Sequence, residues 1–146
     1  MTWMITTTLL VYTLGTAWQD LRTRRVRNVW NVSWILIFLV LHALTHTLWL
    51  SVGGLLGMTL AAGFPAWVGW WGGGDWKIGM ALGAAVGLVP ACLLFALALL
   101  TARLYRARVR RISARWMNVQ QARWDPLGVY LMAPTVGYAI VALWVR

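Results

Sequence analysis

The length, composition and charge of the chain point to a membrane protein. It has 146 residues, of which 61% are hydrophobic and 11% charged, and 13 basic side chains against three acidic ones give a net charge of +10. A soluble domain carries roughly 25% charged residues, so this composition excludes an ordinary soluble domain. The basic residues gather in short clusters between long uncharged runs, which is typical of a polytopic membrane protein and not of a nucleic-acid-binding surface. We expect one domain over residues 1–146.

Four uncharged runs divide the chain, at residues 1–19, 28–74, 78–102 and 126–145. A helix needs roughly 20 residues to cross a hydrocarbon core of about 30 Å, so the second run holds two crossings, with a turn predicted near residues 51–54. The runs lack the period-2 alternation of barrel strands, so helices are favoured. Many of the 12 Trp fall near the ends of these runs, where interfacial aromatic residues belong.

The third run decides the number of segments. Residues 103–123 form a second basic segment, which we expect on the same side of the membrane as the first one. One crossing through residues 78–102 would place it on the other side, whereas a break at residues 87–90 would give a short helix followed by one of ordinary length. Pro90 fits the first turn of a new helix. We therefore predict an all-α polytopic bundle of six segments with a shortened fourth, and five segments is the alternative.

The orientation follows from the first basic loop, at about residues 20–28. It contains four arginines, so it is predicted to be cytoplasmic, and the amino terminus is then outside. Two crossings later, the glycine run before Asp75 returns to the cytoplasmic side. Asp20 and Asp75 are two of the three acidic residues in the chain, and both are predicted at the same membrane face.

Other reactive side chains offer weaker candidates. Cys92 is the single cysteine, so the chain can form neither an intrachain disulfide nor a multi-cysteine zinc site. His42 and His46 have the i,i+4 spacing of a helix face, but two imidazoles without a carboxylate partner make a weak metal site. We interpret them as polar residues at a helix end, near the face opposite the acids. No metal and no cofactor are expected.

Two carboxylates that share a site suit acid–base peptide hydrolysis. They cannot both ionise cheaply, so one tends to keep its proton while the other is charged. The charged member takes a proton from an attacking water, and the protonated member donates to the scissile carbonyl. Taken singly, each acid also has a purely structural interpretation. Asp20 could pair with Arg22 or Arg24 at a helix end, and Asp75 could cap a helix after a glycine turn.

The sequence around both acids resembles the prepilin peptidases, the aspartyl type IV leader peptidases. Residues 72–77 read Gly-Gly-Gly-Asp-Trp-Lys and are followed by Ala-Leu-Gly at 81–83, which is similar to the GxGD segment of that family. Residues 20–28 begin with an aspartate, continue through a basic stretch and end in an asparagine, as the family's upstream aspartate motif does. Residues 125–128 read Asp-Pro-Leu-Gly, where the family often has a Pro-aromatic-Gly turn.

The resemblance implies a multi-pass peptidase of a bacterial-type inner membrane. Such an enzyme removes short basic leader peptides from type IV pilin-like precursors, which would be its protein partners beside membrane lipids. Asp20 and Asp75 would be the catalytic pair at the cytoplasmic face. The small size implies a Flp/Tad-type member without the cysteine-bearing segment of larger members, so we assign no N-methylation. The precursor's identity and the oligomeric state are left open.

Several neighbours of the acids are predicted to support the site. The glycines before Asp75 would let a bound peptide approach closely, or simply form a flexible turn; they are Gly72, Gly73 and Gly74. Two roles stay open for Lys77, which could keep an aspartate ionised or reach lipid phosphates. Asn28 could bond the loop or cap the second helix. A small-residue stripe at Gly79, Gly83 and Gly87 is expected to let the Asp75 helix pack closely against the Asp20 helix.

One departure from the family pattern supports a second hypothesis. The family's proline before Asn28 is Arg27 in this chain, which would loosen the turn that aims the second helix. The basic loops would also repel a lysine-rich leader. A non-catalytic membrane scaffold or a small transporter associated with pilus assembly is therefore the alternative function.

Overall fold

Six α-helices make up the described part of the chain. The computed structural model describes residues 2–23, 26–69, 73–113 and 127–144, and no strand occurs among them. In chain order the helices are α1 (Thr2–Thr23), α2 (Asn28–Leu44), α3 (Leu48–Trp67), α4 (Gly73–Val86), α5 (Leu88–Ser113) and α6 (Leu127–Trp144). The all-α class is confirmed, and α4, with 14 residues, is the shortened fourth helix that the sequence predicts.

The break between α4 and α5 lies where the sequence predicts it. Gly87 has a φ of +82°, a left-handed conformation that glycine adopts without steric cost. α5 begins at Leu88, which puts Pro90 in its first turn, where the missing N–H has no intrahelical partner to lose. As a count of helices, the five-segment alternative is wrong.

The turn between α2 and α3 corrects another prediction. It lies at residues 45–47, where His46 has a φ of +56° and the N–H of Thr47 donates to the carbonyl of His42 at 2.8 Å. Residues 51–54, predicted as the turn, are helical and belong to α3. A glycine pair ordinarily favours a turn, but Gly54 is where α3 meets α4 most closely.

The first two helices run antiparallel. The hydroxyl of Tyr12 donates to Asn31 Oδ1 at 2.8 Å, and one turn nearer the connection Trp30 Nε1 donates to Thr16 Oγ1 at 3.1 Å. Tyr12 and Asn31 are both buried. These polar contacts therefore fix the register of the two helices.

α4 runs parallel to α2. Lys77, near the start of α4, bonds Asn28 at the start of α2, and Ala85, near the end of α4, bonds His42 near the end of α2. The carboxyl end of α1 and the amino ends of α2 and α4 therefore lie at one end of the bundle. We call this end the carboxylate end and the opposite one the far end.

The glycine stripe of α4 packs against α3. A Cβ on Gly83 would meet Met58 Cβ at 2.9 Å as well as the backbone of Gly54, and a Cβ on Gly79 would meet Ala62 Cβ at 3.1 Å. The close helix packing expected of this stripe is therefore present, but its partner is α3. α4 also contacts α1, as expected, but less extensively than it contacts α3.

The two predicted basic loops are shorter than expected. α1 continues to Thr23 and α5 to Ser113, so residues 20–23 and 103–113 are helical. Arginine is a good helix former, which lets both helices extend through their arginines. Residues 24, 25 and 114–123 lie outside the described part of the chain.

Within the described residues, α3 alone has both the length and the apolar composition of a membrane-crossing helix. Three further apolar helical stretches are shorter, at Asn28–Leu44, Leu88–Leu104 and Tyr130–Ala142. Many large apolar side chains point out of the bundle, including Leu56, Leu60 and Phe64 of α3. Several polar side chains point inward, among them Thr16, Asn31 and Ser51.

Candidate active site at the carboxylate end

Asp20 lies in the last turn of α1 and faces the interior. Its side chain is only 8% exposed, whereas its neighbour Leu21 is 60% exposed. Tyr12 and Thr16 precede it at intervals of four residues and are buried too, so these three polar side chains share one face of α1. Nearby, Arg22 stacks its guanidinium over the Trp18 ring, 4.4 Å from the centroid.

Arg27 shapes the connection from α1 to α2. Its backbone has φ −66° and ψ 137°, which is the conformation that a proline ring imposes and so fits the family's residue at this position. Its N–H donates to Gln19 Oε1 at 3.3 Å, a bond that proline could not make. Arg27 itself therefore keeps a backbone conformation that the family's proline would also adopt.

Asp75 is the third residue of α4 and is half-buried. Since α4 is described from Gly73, Asp75 lies inside its first turn. The amino end of a helix carries a partial positive charge that favours a carboxylate. The helix therefore stabilises negative charge on this side chain.

Lys77 joins α4 to α2 next to Asp75. Its Nζ donates to Asn28 Oδ1 at 2.6 Å. Asn28 is the first residue of α2, whose capping position is taken by Arg27 without a side-chain bond. Asn28 is therefore not the capping residue of α2, and its side chain bonds α4 and not the loop, so neither of its two predicted roles is the one observed.

Trp76 fixes the first turn of α4 against α3. Its indole Nε1 donates to the carbonyl of Thr59 at 3.1 Å, and its ring lies 3.0 Å from where a Cβ on Gly63 would stand. Gly73 and Gly74, by contrast, are exposed, and a Cβ on either would meet no heavy atom within 4 Å. Among the described residues, the space beside Gly73 and Gly74 is thus open, while Gly72 lies outside the described part of the chain.

A continuous set of contacts places the two acids at the same end of the bundle. Gln19 of α1 bonds Arg27 at the start of α2, and the next residue, Asn28, bonds Lys77 of α4. Asp20 directly follows Gln19, and Asp75 is two residues before Lys77. Two acids from distant parts of the sequence thus lie at the same end of the bundle.

The histidines and the cysteine lie away from this end. His42 is buried near the end of α2 and His46 is exposed in the following turn. Cys92 contacts Met58 Sδ at 3.5 Å. Across the described ranges, no three His, Cys, Asp or Glu side chains are grouped as metal ligands.

A family model described as the type IV leader peptidase family matches residues 4–106. The chain belongs to this family. The matched region contains Asp20, Asn28, Asp75 and Lys77, and it makes this leader peptidase homologue a peptidase by class, with pilin precursors as the general kind of substrate. No curated protein and no solved structure gives a significant match. The resemblance inferred from the sequence motifs is thereby confirmed.

Sequence reasoning missed the buried polar residues behind the acids. Thr16 and Asn31 link α1 to α2, and Gln19 orients Arg27. The i,i+4,i+8 spacing of Tyr12, Thr16 and Asp20 could have indicated a polar inner face on α1.

Proposed function

We propose that this leader peptidase homologue is a membrane-embedded aspartyl endopeptidase. It removes the short basic leader from type IV pilin-like precursors of the Flp type. The observation that carries the proposal is that Asp20 and Asp75, two of three acids in the chain, lie at the same end of the bundle. Family membership supplies the reaction class, and the acids supply groups able to perform it.

The environments of the acids suggest different roles. Burial disfavours a charged carboxylate, so we assign the proton to Asp20, which is 8% exposed. Asp75 gains from the partial positive charge at the amino end of α4, so we assign it the negative charge. Asp75 then takes a proton from the attacking water, and Asp20 donates its proton to the scissile carbonyl oxygen.

The distribution of apolar side chains supports the membrane part of the proposal. Trp49 and Trp67, at the two ends of α3, are 86% and 84% exposed. They are separated by about 27 Å at 1.5 Å per residue, close to the roughly 30 Å of a hydrocarbon core. Between them the outward face is apolar, as at Leu60. Tryptophans at both ends of an apolar face are typical of a helix whose ends lie at the two interfaces.

The basic residues support a cytoplasmic position for the carboxylate end. Arg22 and Arg27 are exposed there. Arg103 lies about 12 Å beyond Phe95 along α5, and Phe95 packs near Gly79 of α4, so Arg103 extends towards the same end. Arginines near the ends of spans favour the cytoplasmic side, and they can bind anionic lipid phosphates.

The Flp-type substrate class rests on the small size of the first connection. Only four residues, 24–27, separate α1 from α2, which leaves no room for the cysteine-bearing segment of larger relatives. We therefore propose leader removal without N-methylation.

Co-expression with a Flp-type pilin precursor tests the catalytic pair. We expect Asp20→Asn and Asp75→Asn each to lower leader cleavage by about 10²- to 10⁴-fold, because each removes one partner of the acid–base pair. Cleavage is measured by the mobility shift of the precursor, with membrane levels of each variant matched by immunoblot.

Asp125→Asn is the matched control, because it removes the same charge from the third acid of the chain. We expect it to cleave at the wild-type rate. Wild-type cleavage by both Asp20→Asn and Asp75→Asn would contradict the proposal and favour the scaffold alternative.

A further inference from the structure

A buried polar cluster at the far end has no part in the proposed chemistry. His42 is 3% exposed and Ser51 is fully buried, and they belong to α2 and α3. Both bond to α4, whose other end carries Asp75. Buried polar groups in an apolar bundle are costly unless they are satisfied, so the partners of these two side chains indicate what the cluster does.

The partners are two successive backbone carbonyls of α4. His42 Nε2 lies 3.0 Å from the carbonyl oxygen of Ala85, and Ser51 Oγ donates to that of Ala84 at 2.6 Å. Because a carbonyl only accepts, His42 carries its proton on Nε2. Its Nδ1 then faces the hydroxyl of Thr47 at 2.7 Å, which holds the ring from the other side.

These carbonyls need partners from outside their own helix. The last four carbonyls of a helix lack intrahelical donors, and α4 ends at Val86. Gly87, with φ +82°, turns the chain away and its N–H returns to Gly83. Ala84 and Ala85 are fully buried, so their carbonyls are shielded from water. Side chains of α2 and α3 thus supply the hydrogen-bond donors that these carbonyls of α4 lack within their own helix.

α4 is consequently held to α2 at both of its ends. At the carboxylate end Lys77 bonds Asn28 at 2.6 Å, and at the far end His42 bonds Ala85 at 3.0 Å. A helix of 14 residues is about 21 Å long and behaves as a short rod. Fixing its far end therefore limits how far it can slide or rotate at Asp75.

We infer that His42 and Ser51 are positioning residues for the peptidase reaction, acting through α4 on Asp75. The inference rests on the proposed function. A slip of α4 by one residue would move Asp75 by about 1.5 Å, and a misplacement of about 1 Å can lower a rate 10²-fold. Losing the anchor should therefore reduce turnover more than substrate binding.

Two variants remove the anchor with little change in volume. We expect His42→Leu and Ser51→Ala each to lower kcat for leader cleavage by about 10- to 100-fold while KM stays within about twofold. His42→Gln keeps an N–H donor and should recover most of the lost kcat. Thr135→Val is the matched control, because Thr135 is also fully buried but its hydroxyl bonds only Leu131 of its own helix, α6.

A distance measurement tests the anchor independently of activity. Spin labels on Trp18→Cys in α1 and Gly73→Cys in α4, both exposed positions, are introduced together with Cys92→Ser. We expect a single narrow distance distribution in the parent and a broadened or shifted one with His42→Leu, but not with Thr135→Val. An unchanged distribution in folded His42→Leu protein would overturn the inference. If Asp20→Asn and Asp75→Asn cleave normally, the proposed function fails. The distance measurement still shows whether His42 holds α4 in place.

Discussion

At the scale of single residues, Arg27 shows how a motif position can change without losing its geometry. A proline ring fixes φ near −65°, and Arg27 reaches φ −66° without a ring. Its free N–H bonds Gln19, which compensates for the missing constraint. The turn thus still directs α2 so that Asn28 meets Lys77.

Arg27→Pro is expected to fold and to change the free energy of unfolding by less than about 1 kcal/mol. The ring should stabilise the turn by about 0.4–1 kcal/mol through the unfolded state, while loss of the Gln19 bond costs a similar amount. Denaturant unfolding in detergent micelles measures the difference. Arg27→Gly, which frees the backbone, should be the less stable variant; a proline variant that fails to fold would contradict this account of the turn.

The acids themselves could be found from the sequence, whereas the groups around them could not. Asp20 and Asp75 stand out because the chain has only three acids. The carbonyls of Ala84 and Ala85, which bind Ser51 and His42, leave no trace in the sequence because every residue has a carbonyl. Their role depends on where α4 ends in three dimensions.

At the scale of helices, neighbouring glycines in α3 play different parts. A Cβ on Gly54 would lie 2.6 Å from Gly87 Cα and closer still to the carbonyl of Gly83, whereas a Cβ on Gly53 would meet nothing within 4 Å. Backbone atoms cannot move aside as a flexible side chain can. Gly54 therefore sets the distance between α3 and α4.

The pair Gly54→Ala and Gly53→Ala tests this packing. We expect Gly54→Ala to lower the free energy of unfolding by about 1–3 kcal/mol, the usual effect of overpacking. Gly53→Ala should be neutral or stabilising by up to about 1 kcal/mol, because alanine is the better helix former. Thermal unfolding in one detergent compares them, and an equal effect of both changes on stability would contradict a special role of Gly54 in the packing of α3 against α4.

Some helix boundaries can be recognised in the sequence and others cannot. The break at Gly87 is predictable because a proline follows within a few residues. The turn at residues 45–47 is not, because it contains neither glycine nor proline, and the glycine pair soon afterwards favours a turn at residues 51–54 instead. In a tightly packed bundle, glycine marks helix contacts as often as it marks turns.

At the scale of the whole molecule, large apolar side chains occupy the outer surface as well as the interior of the described residues. Leu60 in the middle of α3 is 75% exposed, whereas Leu82 of α4 is fully buried. In water, so many exposed large side chains would form patches beyond those tolerated by a soluble monomer. In a bilayer they are the expected lipid-facing surface.

The substitution Leu60→Lys tests whether this surface of α3 faces lipid or water. In a membrane, a lysine at a helix centre costs about 2.5–3.5 kcal/mol on the insertion scale, so the fraction of protein that resists alkaline carbonate extraction should fall. Leu60→Ala, which loses few protein contacts, should insert normally. A lysine variant that remains as firmly in the membrane fraction as the parent would contradict a lipid-facing α3.

The shortness of α4 also has a consequence for how the protein is made. Its length of about 21 Å is well below the roughly 30 Å of the hydrocarbon core, so α4 alone should insert poorly into a bilayer. In the membrane setting proposed above, it should enter the bilayer as a hairpin with α3, sealed by the glycine contact that joins α3 to α4. Under the proposed function, Asp75 reaches its place only when that hairpin has closed, so a ribosome-bound nascent chain carries Asp20 long before it could cleave a leader.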